Sequence, residues 1–291
     1  MTSLQNPHGP LQIIDFVENP DPSNKNRMLH LNEDVLSTVF QAAGERRIAI
    51  ISIAGPSRKG KSFFLDFLIR YLEAFEKDDS DWMDWDDKNK PLEGFSWRTS
   101  IERETSGIVI WSKPFIIKAN GKEIAVLLMD TQGTYDEYTT EREMSAIVGL
   151  TLLSSSCLIF NFFNGIQEDV FNSLDTYIKY GQLALGGDDD DMEVDQDKVT
   201  PFQKLVFLIR DWNMPTEFPY GSKGGKAYLA EKLKIKDKLT EMGEHVRNRC
   251  ASVFLSWIAA SFPVWGRKPH KKGLTDPWPN FLPTFAKNWK R

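Results

Sequence analysis

The chain has 291 residues, enough for one large domain or two small ones. Its 41% hydrophobic and 26% charged residues are the balance of a chain with a packed core, which argues against disorder. With 36 Lys and Arg against 41 Asp and Glu the net charge is −5, which argues against a general nucleic-acid binder, because such proteins need clustered cations to displace counterions.

From Met1 to Pro20 no basic-then-apolar pattern occurs, so no secretory signal is expected. The two cysteines, Cys157 and Cys250, lie in apolar stretches and read as reduced, buried thiols in a reducing compartment; two isolated cysteines build neither a zinc site nor a disulfide framework. Short apolar runs at Ile48–Ala54, Ile124–Met129, Leu158–Phe163 and Leu205–Ile209 fit strands covered on both faces. Between the first two, Phe63, Phe64, Phe67, Leu68, Tyr71, Leu72 and Phe75 mark one face of a helix. Strands alternating with helices predict an α/β fold with a mixed, mostly parallel central sheet flanked by helices. Ile108–Lys118 and Lys122–Met129 flank Ala119-Asn120-Gly121, a turn that favours antiparallel pairing of the two segments.

Gly55-Pro56-Ser57-Arg58-Lys59-Gly60-Lys61-Ser62 fits GxxxxGK[ST] between an apolar strand and an amphipathic helix, the context a phosphate loop requires. Glycines let backbone N–H groups converge on phosphate oxygens, and the helix N-terminus adds positive potential. Lys61 is expected to reach the β- and γ-phosphates of a nucleotide and Ser62 to ligate Mg²⁺. Pro56 removes one N–H from this loop. Asp130-Thr131-Gln132-Gly133 ends the Ile124–Met129 strand, so Asp130 suits a water-mediated Mg²⁺ ligand and Gly133 a close backbone approach to the γ-phosphate. Where Ras-like enzymes carry a water-orienting glutamine, the residue here is Thr134. Arg58 is then either an arginine finger supplied in cis or a solvated charge. Thr99, Thr105 and Ser106 are the candidate hydroxyls for a metal-binding switch, with Thr105 preferred.

Met144–Gln167 carries no charge and has the length of a membrane span, but its serines and asparagines and its two-part pattern read as a helix feeding a strand at 157–163. Cys250–Gly266 is also uncharged, short for a span and broken by Pro263. No transmembrane helix is expected. Six aspartates within Asp78–Asp87 and seven carboxylates within Asp188–Asp197 lack the spacing of a calcium loop and read as solvated loops. Asn-Lys-x-Asp, the common guanine motif, is absent. Arg210-Asp211 instead follows the Leu205–Ile209 strand. A carboxylate there can accept N1–H and the 2-amino group of guanine, a donor pair that adenine lacks; a surface ion pair between the two residues is the alternative.

Five motifs in order carry a resemblance: Gly55 to Ser62 with its internal arginine, Gly94-Phe95-Ser96-Trp97-Arg98, Glu102-Arg103-Glu104-Thr105-Ser106-Gly107, Asp130-Thr131-Gln132-Gly133, and Leu208-Ile209-Arg210-Asp211-Trp212. Together they resemble the atlastin and guanylate-binding branch of the dynamin superfamily, and the atlastins most, from about Pro10 to about Gly266. The resemblance implies a Mg²⁺-dependent GTPase in which Gly55, Ser57, Arg58, Lys59, Gly60, Lys61, Ser62, Phe63, Gly133, Arg210 and Asp211 bind GTP. Arg58 is then the cis arginine finger, acting with Lys61 and Thr105 in catalysis. Ser62, Thr105 and Asp130 serve the metal, and Asp211 is the guanine-specificity carboxylate. It also implies a guanine cap at Val246–Pro263, nucleotide-dependent homodimerisation, and a place at the cytosolic face of the endoplasmic reticulum, whose tubules atlastins tether and fuse. Residues 1–267 are expected to form the GTPase domain and 268–291 a tail with Trp278 and Trp289. The helical bundle, membrane segments and amphipathic tail of atlastins have no counterpart in this sequence, so fusion by these residues alone is not expected. A GTP-loaded scaffold with negligible turnover is the alternative reading.

Overall fold

The computed structural model describes residues 8–21, 23, 26–79, 92–95, 106–119, 121–134, 139–184, 202–235 and 240–261. The chain divides into two compact units, Met1–Glu143 and Met144–Arg291. The fold is the expected α/β arrangement of a mixed sheet with helices.

In the first unit, β1 (Pro10–Val17), β2 (Met28–Leu31), α1 (Glu33–Ala43), β3 (Arg47–Ala54), α2 (Lys61–Glu76), β4 (Ile108–Trp111), β5 (Phe115–Ala119) and β6 (Lys122–Thr131) follow in order. The strands lie in the order β2-β1-β4-β6-β3, with β5 also on β6. The apolar runs at 48–54 and 124–129 become β3 and β6, paired in parallel from Arg47 opposite Ile124 to Ile53 opposite Asp130. The hairpin at Ala119 forms as expected, with Ala119 opposite Lys122. Its first arm is two strands rather than one, because Ser112, Lys113 and Pro114 interrupt it and Pro114 has no N–H to give the ladder. Both pieces remain antiparallel to β6. Strands β1 and β2 have no all-apolar run to mark them; β1 carries Gln12 and Asp15 and is mostly half-buried.

Helix α2 contacts β3, β5 and β6. It is buried more widely than a single face: Leu65, Ile69 and Ala74 are covered along with Phe64, Phe67, Leu68, Tyr71 and Leu72, whereas Phe75, expected on the apolar face, is exposed.

Helix α3 (Glu141–Ser154) runs from the end of the first unit into the second and begins three residues before the uncharged stretch. There Thr140 and Glu143 form a reciprocal capping box: the Thr140 Oγ1 accepts from the Glu143 N–H at 3.2 Å, and Glu143 Oε2 accepts from the Thr140 N–H at 2.9 Å. In the second unit β7 (Cys157–Phe163), α4 (Glu168–Ala184), β8 (Phe202–Arg210), α5 (Ser222–Leu233), α6 (Glu241–Val253) and β9 (Phe254–Ser261) follow. Strands β7, β8 and β9 are parallel, in that order. The span-like segment thus breaks at Ser155 and Ser156 into a helix and a strand, and no helix among the described residues is long and apolar enough to cross a membrane. The 246–263 stretch supplies most of α6 and, as far as Ser261, β9. Cys157 and Cys250 are free and buried, and burial pushes each thiol up to about 12. Thr99, Thr105, most of the first acidic stretch, all of the second, and the tail lie outside the described residues.

Candidate functional site

The parallel register of β3 with β6 positions the candidate phosphate loop of the first unit. Both strands end at the same level, so the loop that leaves β3 at Gly55 emerges beside Asp130. In an open parallel sheet, ligands bind at the carboxyl ends of strands for this reason. The Ser62 Oγ lies in the first turn of α2 and donates to Asp130 Oδ2 at 2.5 Å. Asp130 is 1% exposed. A hydroxyl and a carboxylate held this close are hard oxygen donors of the kind Mg²⁺ takes, so Ser62 and Asp130 fit as direct and water-mediated ligands.

Gly60, with φ 66°, precedes α2, whose N-terminus has neither a side-chain cap nor an acidic residue in its first turn. The helix itself therefore brings no carboxylate to compete with a phosphate for its positive end. Lys61 is 7% exposed and folds back over the loop, its Nζ donating to the Pro56 carbonyl at 3.2 Å. Arg58 is exposed and stands at φ 57°, an uncommon conformation for a side-chain-bearing residue.

The loop is tied to the segment after β6 by a parallel bridge between Pro56 and Thr134. The Ser57 N–H donates to the Thr134 carbonyl at 2.9 Å, and the Thr134 N–H donates to the Gly55 carbonyl at 3.0 Å. Such a bridge uses the groups of Pro56's neighbours, which is why proline is tolerated there. Thr134 is 1% exposed, so this threonine side chain is shielded from solvent. Gly133 packs on the loop: a Cβ there would fall 2.3 Å from Ser57 Cα.

Residues that the motifs alone did not single out brace these segments. Gln132, 1% exposed, accepts the Gly107 N–H at its Oε1 (2.9 Å) and donates from Nε2 to Thr139 Oγ1 (2.5 Å), while its own N–H donates to the Gly107 carbonyl (2.8 Å). Ser106, one of the candidate metal hydroxyls, instead donates its Oγ to Asp15 Oδ1 at 2.8 Å. Asp66 is wholly buried in α2 and accepts the Phe95 N–H at 2.7 Å, fastening the start of the Gly94–Arg98 motif. A charged residue within an apolar helix was the available sign of this anchor.

The candidate base-reading residues, Arg210 and Asp211, lie in the second unit. Arg210 ends β8 opposite Phe163, and its carbonyl accepts the Asn164 N–H at 2.9 Å. The Arg210 side chain is buried rather than on the surface; burial lowers its pKa, and neighbouring Asp211 opposes that shift. Asp211 follows in a left-handed conformation, φ 51°, and is partly exposed. Trp212 is buried behind it, its Nε1 donating to the Phe218 carbonyl at 2.8 Å and its ring edge-on to Tyr228 at 4.7 Å. The Tyr228 hydroxyl accepts the Ile166 N–H at 3.0 Å, so one aromatic cluster ties the ends of β7 and β8 to α5.

Compared with known proteins, residues 26–266 match the family described as guanylate-binding protein, N-terminal domain. The chain is 40% identical to Atlastin-1 of Bos taurus over 261 residues, which cover 89% of this chain and 44% of that one. It is 43% identical to Atlastin-3 of Mus musculus over 250 residues, 84% of this chain and 43% of that one. It is 38% identical to Atlastin-2 of Homo sapiens over 248 residues, 84% and 39% of the two chains. The chain therefore spans less than half the length of these relatives.

Proposed function

Because this chain belongs to the guanylate-binding protein family and is an atlastin-like GTPase domain, we propose that it binds GTP with Mg²⁺ and hydrolyses it to GDP and phosphate with an arginine finger of its own. The observation that carries this reading is the meeting of Ser62 and Asp130 at the carboxyl ends of two parallel strands, beside a loop bridged to Thr134. Gly55, Lys59, Gly60 and Phe63 present backbone N–H groups to the phosphates, Ser57, whose own N–H is given to the Thr134 carbonyl, contributes through its side chain, and Lys61 counters charge on the β- and γ-phosphates. Ser62, Asp130 and Thr105 would hold the metal, which would supply positive charge to offset that of the phosphates. Gly133 presents its N–H to the γ-phosphate. Water attacks the γ-phosphorus in line, and Arg58 swings to the bridging oxygen as negative charge develops there. Exposure within the phosphate loop supports Arg58 for this task. Asp211 accepts N1–H and the 2-amino group of guanine, with Arg210 and the Trp212 cluster setting its position.

By the same family relationship the protein is proposed to dimerise when GTP is bound and to work at the cytosolic face of the endoplasmic reticulum in membrane organisation. The test is phosphate release from GTP, with ATP as control, for the unmodified protein and Arg58→Ala. Loss of a cis finger should slow turnover by about 10³-fold or more while GTP binding persists. Equal use of ATP would refute the role of Asp211, and an unchanged rate in Arg58→Ala would refute the finger.

A further inference from the structure

Strand β7 is buried along its length except at its last residue, Phe163, which is 41% exposed. The aromatic packing of this strand lies on its other face, where Phe160 and Phe162 meet Tyr177 and Phe207. A lone exposed aromatic is ordinary on a protein surface. The place of this one is not. Phe163 pairs with Arg210 at the carboxyl ends of two parallel strands, the edge at which open α/β sheets take ligands. Paired residues of neighbouring strands share a face of the sheet with their backbones about 5 Å apart. Phe163 therefore stands on the side of Arg210 and one residue from Asp211. Each of the two strands is followed or ended by a left-handed residue that is not glycine, Asn164 at φ 64° and Asp211 at φ 51°. Among the described residues only four non-glycine positions have positive φ, and these two adjoin, the Asn164 N–H donating to the Arg210 carbonyl at 2.9 Å. Such conformations are costly and gather at binding sites. The Gly165 N–H donates to the Phe163 carbonyl at 2.7 Å, which closes a γ-turn on Asn164, a rare form at positive φ. The next N–H, of Ile166, is taken by the Tyr228 hydroxyl at 3.0 Å. The backbone that carries Phe163 is thus held on both sides while its ring faces solvent.

We propose that Phe163 is the stacking surface for the nucleotide base, so that recognition is divided between two neighbouring strand ends. Asp211 reads the hydrogen-bonding edge of guanine, and the Phe163 ring covers a face of it. This rests on the GTPase reading above, with Asp211 as the guanine acceptor. A carboxylate grips only the edge of a planar base and leaves its tilt free. An aromatic ring beside it sets the plane. Stacking is also indifferent to which base is bound, because every base has a π-face. Affinity then comes from Phe163 and selectivity from Asp211, and the two contributions are separable by experiment.

The experiment compares the unmodified protein with Phe163→Ala, Phe163→Leu and Phe163→Tyr. It measures the Kd for GDP, for inosine diphosphate, which lacks the 2-amino group, and for ADP, together with the thermal unfolding midpoint of the free protein. Phe163→Ala should weaken GDP and inosine diphosphate by the same factor, about ten- to a hundredfold, and so leave their ratio, which Asp211 sets, unchanged. Phe163→Leu is apolar but has no π-face and should bind nearly as weakly as Phe163→Ala, whereas Phe163→Tyr should keep most of the affinity. The unfolding midpoint should move little, because the side chain is largely outside the core. The proposal is overturned if GDP binds Phe163→Ala within about twofold of the unmodified protein, or if Phe163→Leu binds as tightly as phenylalanine does. It is overturned too if affinity falls only in step with the unfolding midpoint, which marks a purely structural role. If Phe163→Ala does not fold, the leucine and tyrosine variants decide alone. Equal binding of GDP and ADP by the unmodified protein removes the guanine reading and this proposal with it, whereas guanine-selective binding that ignores Phe163 removes the proposal only.

Discussion

Gly133 has no room for a side chain, and the reason lies in a residue 76 positions earlier in the chain, Ser57, whose Cα is where a Cβ would go. The obstacle is backbone, so it cannot rotate away. Gly133→Ala should therefore force the phosphate loop and the Asp130 segment apart, lowering GTP turnover by at least about tenfold and stability by about 1–3 kcal/mol, the usual cost of overpacking. Turnover and thermal unfolding measured together check this, and a variant of normal activity would mean that the loop yields freely. Gln132 illustrates the complementary case, in which a polar side chain is buried because each end of its amide has a partner of the right kind. The motif Asp-x-x-Gly names its neighbours and leaves it as an x, yet its contacts join Gly107 to Thr139.

Among the elements, the start of α3 shows how one carboxylate serves two purposes. Glu143 caps the helix through Thr140 and also forms a two-point pair with Arg27, Nε to Oε1 at 2.9 Å and Nη2 to Oε2 at 3.0 Å, while the Arg27 guanidinium sits over the Phe16 ring. The hydrogen bond from Arg27, helped by those of Thr140, holds the carboxyl below the ordinary glutamate range against the opposing effect of burial. A carboxyl depressed in the folded state stabilises fully above its unfolded pKa, about 4.3, and that stabilisation is lost as pH falls through the lower folded value. Glu143→Gln should thus be less stable than the unmodified protein by about 1 kcal/mol at neutral pH, and the gap should close in acid below about pH 4. Denaturant unfolding at a series of pH values reads this directly, and a gap that does not narrow in acid would exclude the Arg27 pair as its source.

At the scale of the molecule, the phosphate-loop motif lies in the first unit and Arg210-Asp211 in the second, and the chain accounts for less than half the length of its atlastin relatives. The proposed regulation is association of two copies in the GTP state. Light scattering should give a monomer mass with GDP and a dimer mass with a non-hydrolysable GTP analogue, and Lys61→Ala, which weakens nucleotide binding, should remain monomeric in both. A monomer in every nucleotide state would show that this domain acts singly.

The parallel strands were readable from the sequence alone, because fully covered strands must be written as unbroken apolar runs, and so was the candidate phosphate loop, because glycines, lysine and serine at fixed spacing have few other uses. The sequence also marked Asp130 and Arg210-Asp211, which stand at the ends of such runs. It did not mark β1, a half-buried strand whose polar residues blur the pattern, or β2, four mostly exposed residues, nor the wide burial of α2, which depends on what packs around it. The Thr140 to Glu143 capping box has a four-residue pattern that went unread in the sequence; its pairing with Arg27 has no local pattern at all, because the partner lies more than a hundred positions away. Only the tertiary structure decided which polar side chains meet. Gln12, Asp15, Asp66 and Gln132 act through neighbours 7 to 94 positions distant, and hydrogen-bond partners of that kind are set by strand register and a bulge rather than by any local spacing.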